Sequence, residues 1–241
     1  MKFKNYKELK RNSDDLYLMC TGETVNDLEP YQWDIINKSD SLAMNNFFYH
    51  PHFIPTMLSM ELKTYDYDIA KRRLAEKWDM GWKNVKYILP DHRVKYLSGV
   101  LGSDAQVYVY HNEKMGTRNS NSIDANVVLG SDFLWKLYNA SVTTMFHLAW
   151  LMGYKNVIVI GMTGKNSRYF WTDMSDSVRG EVHAIFNKDH EHQDPSRPHH
   201  ASHVRSFVID FRERHMVGLG RNIWVGSKKD MLYPDVPLWN F

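Results

Sequence analysis

The stretch from residue 133 to residue 160 constrains this chain more than any other. Residues 133–152 are mostly apolar with helical spacing and close at Gly153; NVIVI then follows at 156–160 and ends at Gly161. A strand so apolar must be covered on both faces, and a helix that feeds it directly implies a parallel sheet. The rest of the chain repeats the alternation. LYLMC at 16–20 predicts a strand, Thr21-Gly22-Glu23-Thr24 a turn, and Leu28, Trp33 and Ile36 a helix over 26–36. Residues 41–45 predict a second strand that runs into Asn45-Asn46 and the aromatics Phe47, Phe48 and Tyr49, with Pro51 and Pro55 breaking regular structure beyond. Further helices are expected over 68–78 and 202–216, and further strands over 85–89, 106–110 and 221–225. Residues 111–124 and 187–200 are polar and predict loops. The expected architecture is α/β, a Rossmann-like doubly wound, mainly parallel sheet that would hold ligands beyond the carboxyl ends of its strands.

With 241 residues, 43% of them hydrophobic, a single domain over 1–241 can bury a full core. Cys20 is the only cysteine, which excludes an internal disulfide and any multi-cysteine zinc site and fits a reducing compartment. Cytoplasm is therefore the expected location. Residues 1–15 are basic and then acidic, with no apolar stretch, so neither a signal peptide nor a membrane anchor is expected there. No later segment reads as a membrane span. A net charge of +2 does not by itself imply nucleic acid. Arg205, Arg212, Arg214, Arg221, Lys228 and Lys229 nevertheless gather near the end of the chain and could face an anionic acceptor, a membrane surface or solvent; solvent is the commonest answer. Eight Trp and fourteen Tyr exceed what one core needs, and aromatics stack bases and sugar rings.

Several groups of residues point to chemistry, each with a plainer structural reading beside it. Gly22, at the hand-over from first strand to first helix, permits close approach of a phosphate to backbone amides, or is simply a turn. Asn45 and Asn46 end the next strand, where an amide can contact a base or ribose, or form a turn. The hydroxyl of Ser141 can reach a ligand or bond back to its own helix. After Gly161 the chain carries Lys165, Asn166, Arg168 and Tyr169, cations and a phenol able to neutralise a departing phosphate, or a solvated loop. His199 and His203 share one helical face, and an imidazole titrates close enough to neutrality to take a proton from a hydroxyl. His190, His192, His199, His200 and His203 with Asp189 and Asp194 could instead form a metal site, since imidazole and carboxylate are zinc ligands, but their spacing matches no established zinc signature and no metal ligand is assigned. Asp66-Tyr67-Asp68 has the DxD form that holds a nucleotide diphosphate through a cation, but acidic residues also favour helix starts.

Four segments in this order resemble glycosyltransferase family 42, the bacterial sialyltransferases, and the related sialyltransferase-like and motility-accessory glycosyltransferases. They are LYLMCTGETVNDLE, DSLAMNNFFY, NASVTTMFHLAWLMGYKNVIVIGM and HHASHVRSFVIDFRERHMVGLGRNIWV. The resemblance implies a GT-A-like variant of the fold with a lid over 163–198. It implies an inverting transferase that moves a sugar from a nucleotide-sugar donor to a hydroxyl acceptor, a cell-surface glycan first. On that pattern His203 is the general base and Tyr169 stabilises the leaving phosphate. Thr21, Gly22, Glu23, Thr24, Asn45, Asn46, Ser141, Gly161, Thr163, Lys165, Arg168 and His199 would bind the nucleotide sugar. No cofactor or divalent metal is expected, and a homo-oligomer or a position at the periphery of a membrane stays open. Three departures matter: Thr21 stands where the family has Asn, Thr163 where it has Asp, and Tyr138 where its sialyltransferases have Arg. The loss of that Arg weakens the case for a carboxylated donor sugar such as CMP-sialic acid. Hydroxymethylated bases in DNA, a pterin diphosphokinase activity using Mg²⁺ and ATP, and a non-catalytic nucleotide-binding role are the alternatives.

Overall fold

The computed structural model describes residues 1–62, 67–114, 134–136, 140–164, 169–174 and 200–241. Its strands are β1 (Lys2–Asn5), β2 (Asp15–Met19), β3 (Asp40–Met44), β4 (Met57–Ser59), β5 (Lys86–Pro90), β6 (Gln106–Tyr110), β7 (Asn112–Lys114), β8 (Leu134–Lys136), β9 (Asn156–Ile160) and β10 (Asn222–Val225). The helices are α1 (Pro30–Asn37), α2 (Tyr67–Lys77), α3 (Asp91–Leu97), α4 (Ser141–Leu151) and α5 (His200–Phe211). Eight strands form one sheet in the order β1-β6-β5-β4-β3-β2-β9-β10, and every neighbouring pair is parallel. The chain builds outward from β2 through β3, β4 and β5, then crosses back to lay β9 against the other side of β2. By the general rule for such sheets, that reversal is where a ligand-binding crevice falls, at the carboxyl ends of β2 and β9.

The apolar runs are apolar because both faces are covered. Leu16 and Leu18 of β2 and Val157 and Val159 of β9 join one core cluster with Met145, Phe146 and Leu148 of α4 and Val204, Val208 and Phe211 of α5. The alternate residues Tyr17, Met19, Ile158 and Ile160 join a second cluster with Ile36, Ala70, Leu74 and Leu97 of α1, α2 and α3. Each of these large apolar side chains contributes roughly 1.5–3 kcal/mol by burial.

Several expected elements change. The helix read over 133–152 begins only at Ser141; Leu134–Lys136 is instead β8, paired in parallel with β7 in the stretch 111–124 that reads as a loop. A short apolar run has no periodicity long enough to separate helix from strand, and the partner strand decides. The helix read over 26–36 is divided. Glu23–Asp27 is a 3-10 turn, and α1 starts at Pro30 behind a Glu29–Gln32 capping box, because proline lacks the amide that a first helical turn leaves unpaired. The helix read over 202–216 is α-helical to Phe211 and continues as a π-helical turn, Arg212–Met216. Two strands lacked a sequence signal. β1 is an exposed edge of alternating lysines, and β4 has three residues, clipped to β3 where Thr56 Oγ1 accepts from the Ser41 amide at 2.8 Å and donates to its carbonyl at 2.8 Å.

Candidate functional site

The crevice has two halves. In the first, the exits of β2 and β9 cross backbone to backbone. The Gly22 amide donates to the Gly161 carbonyl at 2.8 Å. A Cβ on Gly22 would lie 2.1 Å from Thr163 Oγ1 and 2.6 Å from the Gly161 oxygen, so only glycine fits. Gly161 has φ +78°, and a Cβ there would meet the Cys20 oxygen at 2.7 Å and Val25 Cγ2 at 2.8 Å. The Gly161 amide donates to Thr24 Oγ1 at 3.1 Å, and that hydroxyl donates to Asp230 Oδ1 at 2.8 Å. Burial drives the Asp230 carboxyl up to about 7, against the pull of the Thr24 hydroxyl. Tyr169 forms an antiparallel bridge with Gly22, the Phe170 amide donates to the Thr21 carbonyl at 3.0 Å, and the Tyr169 ring stacks on Trp171 at 4.4 Å. Burial raises the Tyr169 phenol above its ordinary range, which keeps it a neutral donor near neutral pH.

The second half joins β3, β4, β6 and α4. Asn45, in the left-handed region at φ +48°, turns its Oδ1 onto the Glu61 amide at 2.8 Å. Glu61 then accepts from Ser141 Oγ at 2.7 Å on one carboxylate oxygen and from Tyr110 OH at 2.7 Å on the other. The Tyr110 phenol is pushed well up by burial and by the Glu61 charge, so it stays a donor. Beside this knot lie two buried oxygens that lack a hydrogen-bond partner among the described residues, Asn46 Oδ1 and Thr144 Oγ1. Thr163 Oγ1 in the first half is a third. Farther along the same edge, Asp91 at the end of β5 pairs with His111 after β6; burial alone would raise the Asp91 carboxyl, but the bonds from His111 and the His92 amide hold it below the usual range.

The structure thus gathers Thr21, Gly22, Glu23, Thr24, Asn45, Asn46, Ser141, Gly161, Thr163 and Tyr169 at the carboxyl edge of the sheet. Two roles differ from the simplest expectation. The Gly22 amide is already bonded to Gly161, and Thr24 is 2% exposed and faces Asp230, so both act by holding the turn. His203 is exposed on α5, which hangs from the β9 exit: Arg205 Nε donates to the Met231 carbonyl at 2.9 Å and the Met231 amide to the Met162 carbonyl at 2.9 Å. Lys165, Arg168, His199, Tyr138, Asp66, His190, His192, Asp189, Asp194 and most of the lid expected over 163–198 lie outside the described residues. Glu61, Tyr110, Asp91 and His111 have no counterpart in the sequence reading. Glu61 follows the short strand that had no signal, while Asp91 and His111 directly follow two strands that did.

The basic segment is bonded largely to its own chain. Arg212 donates to Asn222 at 2.6 Å, Arg221 to the Trp150 carbonyl at 3.0 Å, Arg214 pairs with Asp210 at 2.6 Å and Lys229 with Asp27 at 2.8 Å. Among the described residues no group of three His, Cys, Asp or Glu side chains is placed to hold a metal ion, and no helix is long and apolar enough to cross a membrane.

No protein-family profile matches the chain, and no curated protein matches its sequence. Solved structures do match its fold, bacterial sialyltransferases among them. The monofunctional α-2,3-sialyltransferase Cst-I of Campylobacter jejuni superposes with a TM-score of 0.53 at 13% identity, covering 97% of this chain and 84% of its own. A Cst-II sialyltransferase variant in complex with CMP gives 0.55 at 10%, covering 94% and 88%. An α-2,3-sialyltransferase of C. jejuni in apo form gives 0.52 at 10%, covering 99% and 85%. The chain therefore has the sialyltransferase fold over nearly its whole length, in agreement with the resemblance read from its four segments.

Proposed function

We propose that the chain is an inverting glycosyltransferase that uses a nucleotide-sugar donor, without a divalent metal, and a hydroxyl acceptor on a glycan. The observation that carries this reading is the grouping of residues at the β2/β9 reversal. There the glycine crossing, Tyr169, and the Asn45–Glu61–Ser141 knot meet at one sheet edge, in a fold shared with an enzyme that binds CMP. Asn45, Asn46 and Ser141 hold the nucleotide and sugar, and Gly22 holds the turn at the β2 exit. The acceptor oxygen attacks the anomeric carbon from the face opposite the leaving group and its proton passes to the imidazole of His203. The bond from that carbon to phosphate oxygen breaks, and the nucleotide departs with the bonding pair beside the Tyr169 phenol.

Donor binding is tested by thermal shift with CMP-, UDP-, GDP- and dTDP-sugars, with and without chelator, since a ligand of the native state raises its midpoint by mass action. One nucleotide series should stabilise the protein equally in both conditions. His203→Ala should lower transfer by roughly 10²–10⁴-fold, the usual worth of a general base, and leave nucleotide affinity within about twofold. Full activity in that variant would remove His203 from the mechanism.

A further inference from the structure

On the α1 side of the sheet, back to back with the glycine crossing, lies an open cavity of about 510 Å³, a size that suits a small-molecule subsite. Val25 is the shared wall: it lines the cavity, and its Cγ2 sits 2.8 Å from where a Gly161 Cβ would be. The floor is aromatic. His50 and Phe53 are buried, and the half-buried Trp33 ring lies 4.9 Å from the first and 5.0 Å from the second. His50 Nδ1 accepts from the Phe53 amide at 3.0 Å, and burial holds its imidazole down at about 4, so it is neutral at physiological pH. The rim is polar and exposed, with the amides Asn26 and Asn37 and the carboxylate Asp34. Among the described residues no Lys or Arg lines the cavity.

We propose that this cavity is a saccharide subsite, which holds a sugar unit of the acceptor glycan next to the unit that receives the transferred sugar. The proposal rests on the glycosyltransferase reading. A sugar ring presents an apolar C–H face to an aromatic floor and a girdle of hydroxyls to amide and carboxylate groups. Phosphates and carboxylates would find no Lys or Arg among the described lining residues, and they would meet Asp34. The position also fits, because Asn26 Nδ2 donates to the Phe170 carbonyl at 2.8 Å, and Phe170 follows the residue that bridges to Gly22.

The test is donor-free screening of the protein on a glycan array, then calorimetry with the soluble oligosaccharides that bind. Trp33→Ala and Asp34→Ala should each weaken that binding at least tenfold while CMP affinity changes less than about twofold. Asp34 is exposed, so its replacement should leave the thermal midpoint in place and separate recognition from misfolding. In transfer assays the same variants should raise KM for long acceptors and spare donor hydrolysis. No glycan bound, or Asp34→Ala and Trp33→Ala binding every glycan like the parent, overturns the proposal. Failure of the glycosyltransferase reading shows separately, as the absence of any nucleotide-sugar shift while glycans still bind.

Discussion

Asp230 stands out among single residues because nothing near it in sequence announces its burial. It is 2% exposed, tied through Thr24 to the Gly161 amide, and its carboxyl is raised to about 7 by burial. In the unfolded chain the same group titrates near pH ~4. The folded state therefore binds the proton more tightly, and the contribution is fully present below about pH 4 and lost as pH rises through about 7. Complete ionisation would cost on the order of 4 kcal/mol. Asp230→Asn, which mimics the neutral acid, should match the parent near pH 3, below the unfolded pKa, and exceed it increasingly in urea-melt stability as pH rises to about 8. Equal pH dependence in the two proteins would show that folding does not raise the Asp230 carboxyl. The glycine pair is the opposite case. Gly22 and Gly161 are visible in the sequence as the ends of two apolar runs, and their reason, a backbone crossing with no room for a Cβ, is visible only in space.

At the scale of elements, β4 links fold and site. Its three residues carry too little pattern to read as a strand, yet Glu61, two residues beyond its end, ties Asn45, Ser141 and Tyr110 together. The strand is held at its start by the Thr56–Ser41 clip. Thr56→Val removes a hydroxyl that makes two of those bonds, and should lower stability by about 1–3 kcal/mol in equilibrium unfolding. Because the strand then loses an anchor, nucleotide affinity should fall as well, although Thr56 lies at the opposite end of β4 from the crevice. Unchanged affinity would mean that Glu61 is positioned from the α4 side alone. Longer elements were easier to read. β2, β5, β6 and β9 appear within a residue or so of their expected bounds, because three to five consecutive apolar residues have few alternatives inside an α/β protein. The helix read over 133–152 failed at its start because β7, distant in sequence, claims residues 134–136.

For the whole molecule, the distribution of charge decides between partners. Arg205, Arg212, Arg214, Arg221 and Lys229 form a basic tract along the chain, but in the fold each bonds or pairs within the protein. A chain that gripped a DNA backbone with six or more cations would lose roughly 10³-fold or more in affinity between about 50 and 200 mM salt. Transfer should instead proceed without DNA, and its kcat/KM should change less than about threefold over that range. A steep decline, restored by added DNA, would return hydroxymethylated bases to first place among acceptors. The alternation of apolar strand and amphipathic helix, legible in the sequence, determined the class of fold and placed Gly22, Asn45 and Gly161 at strand ends. Periodicity suffices for that, because burial on both faces of a sheet leaves a local trace. Tertiary structure alone decided that β2 and β9 are neighbours, that Glu61 joins Asn45 to Ser141, and that Trp33, His50 and Phe53 floor a cavity behind the crevice. Those contacts join residues far apart along the chain, and no local preference encodes which distant residue will arrive.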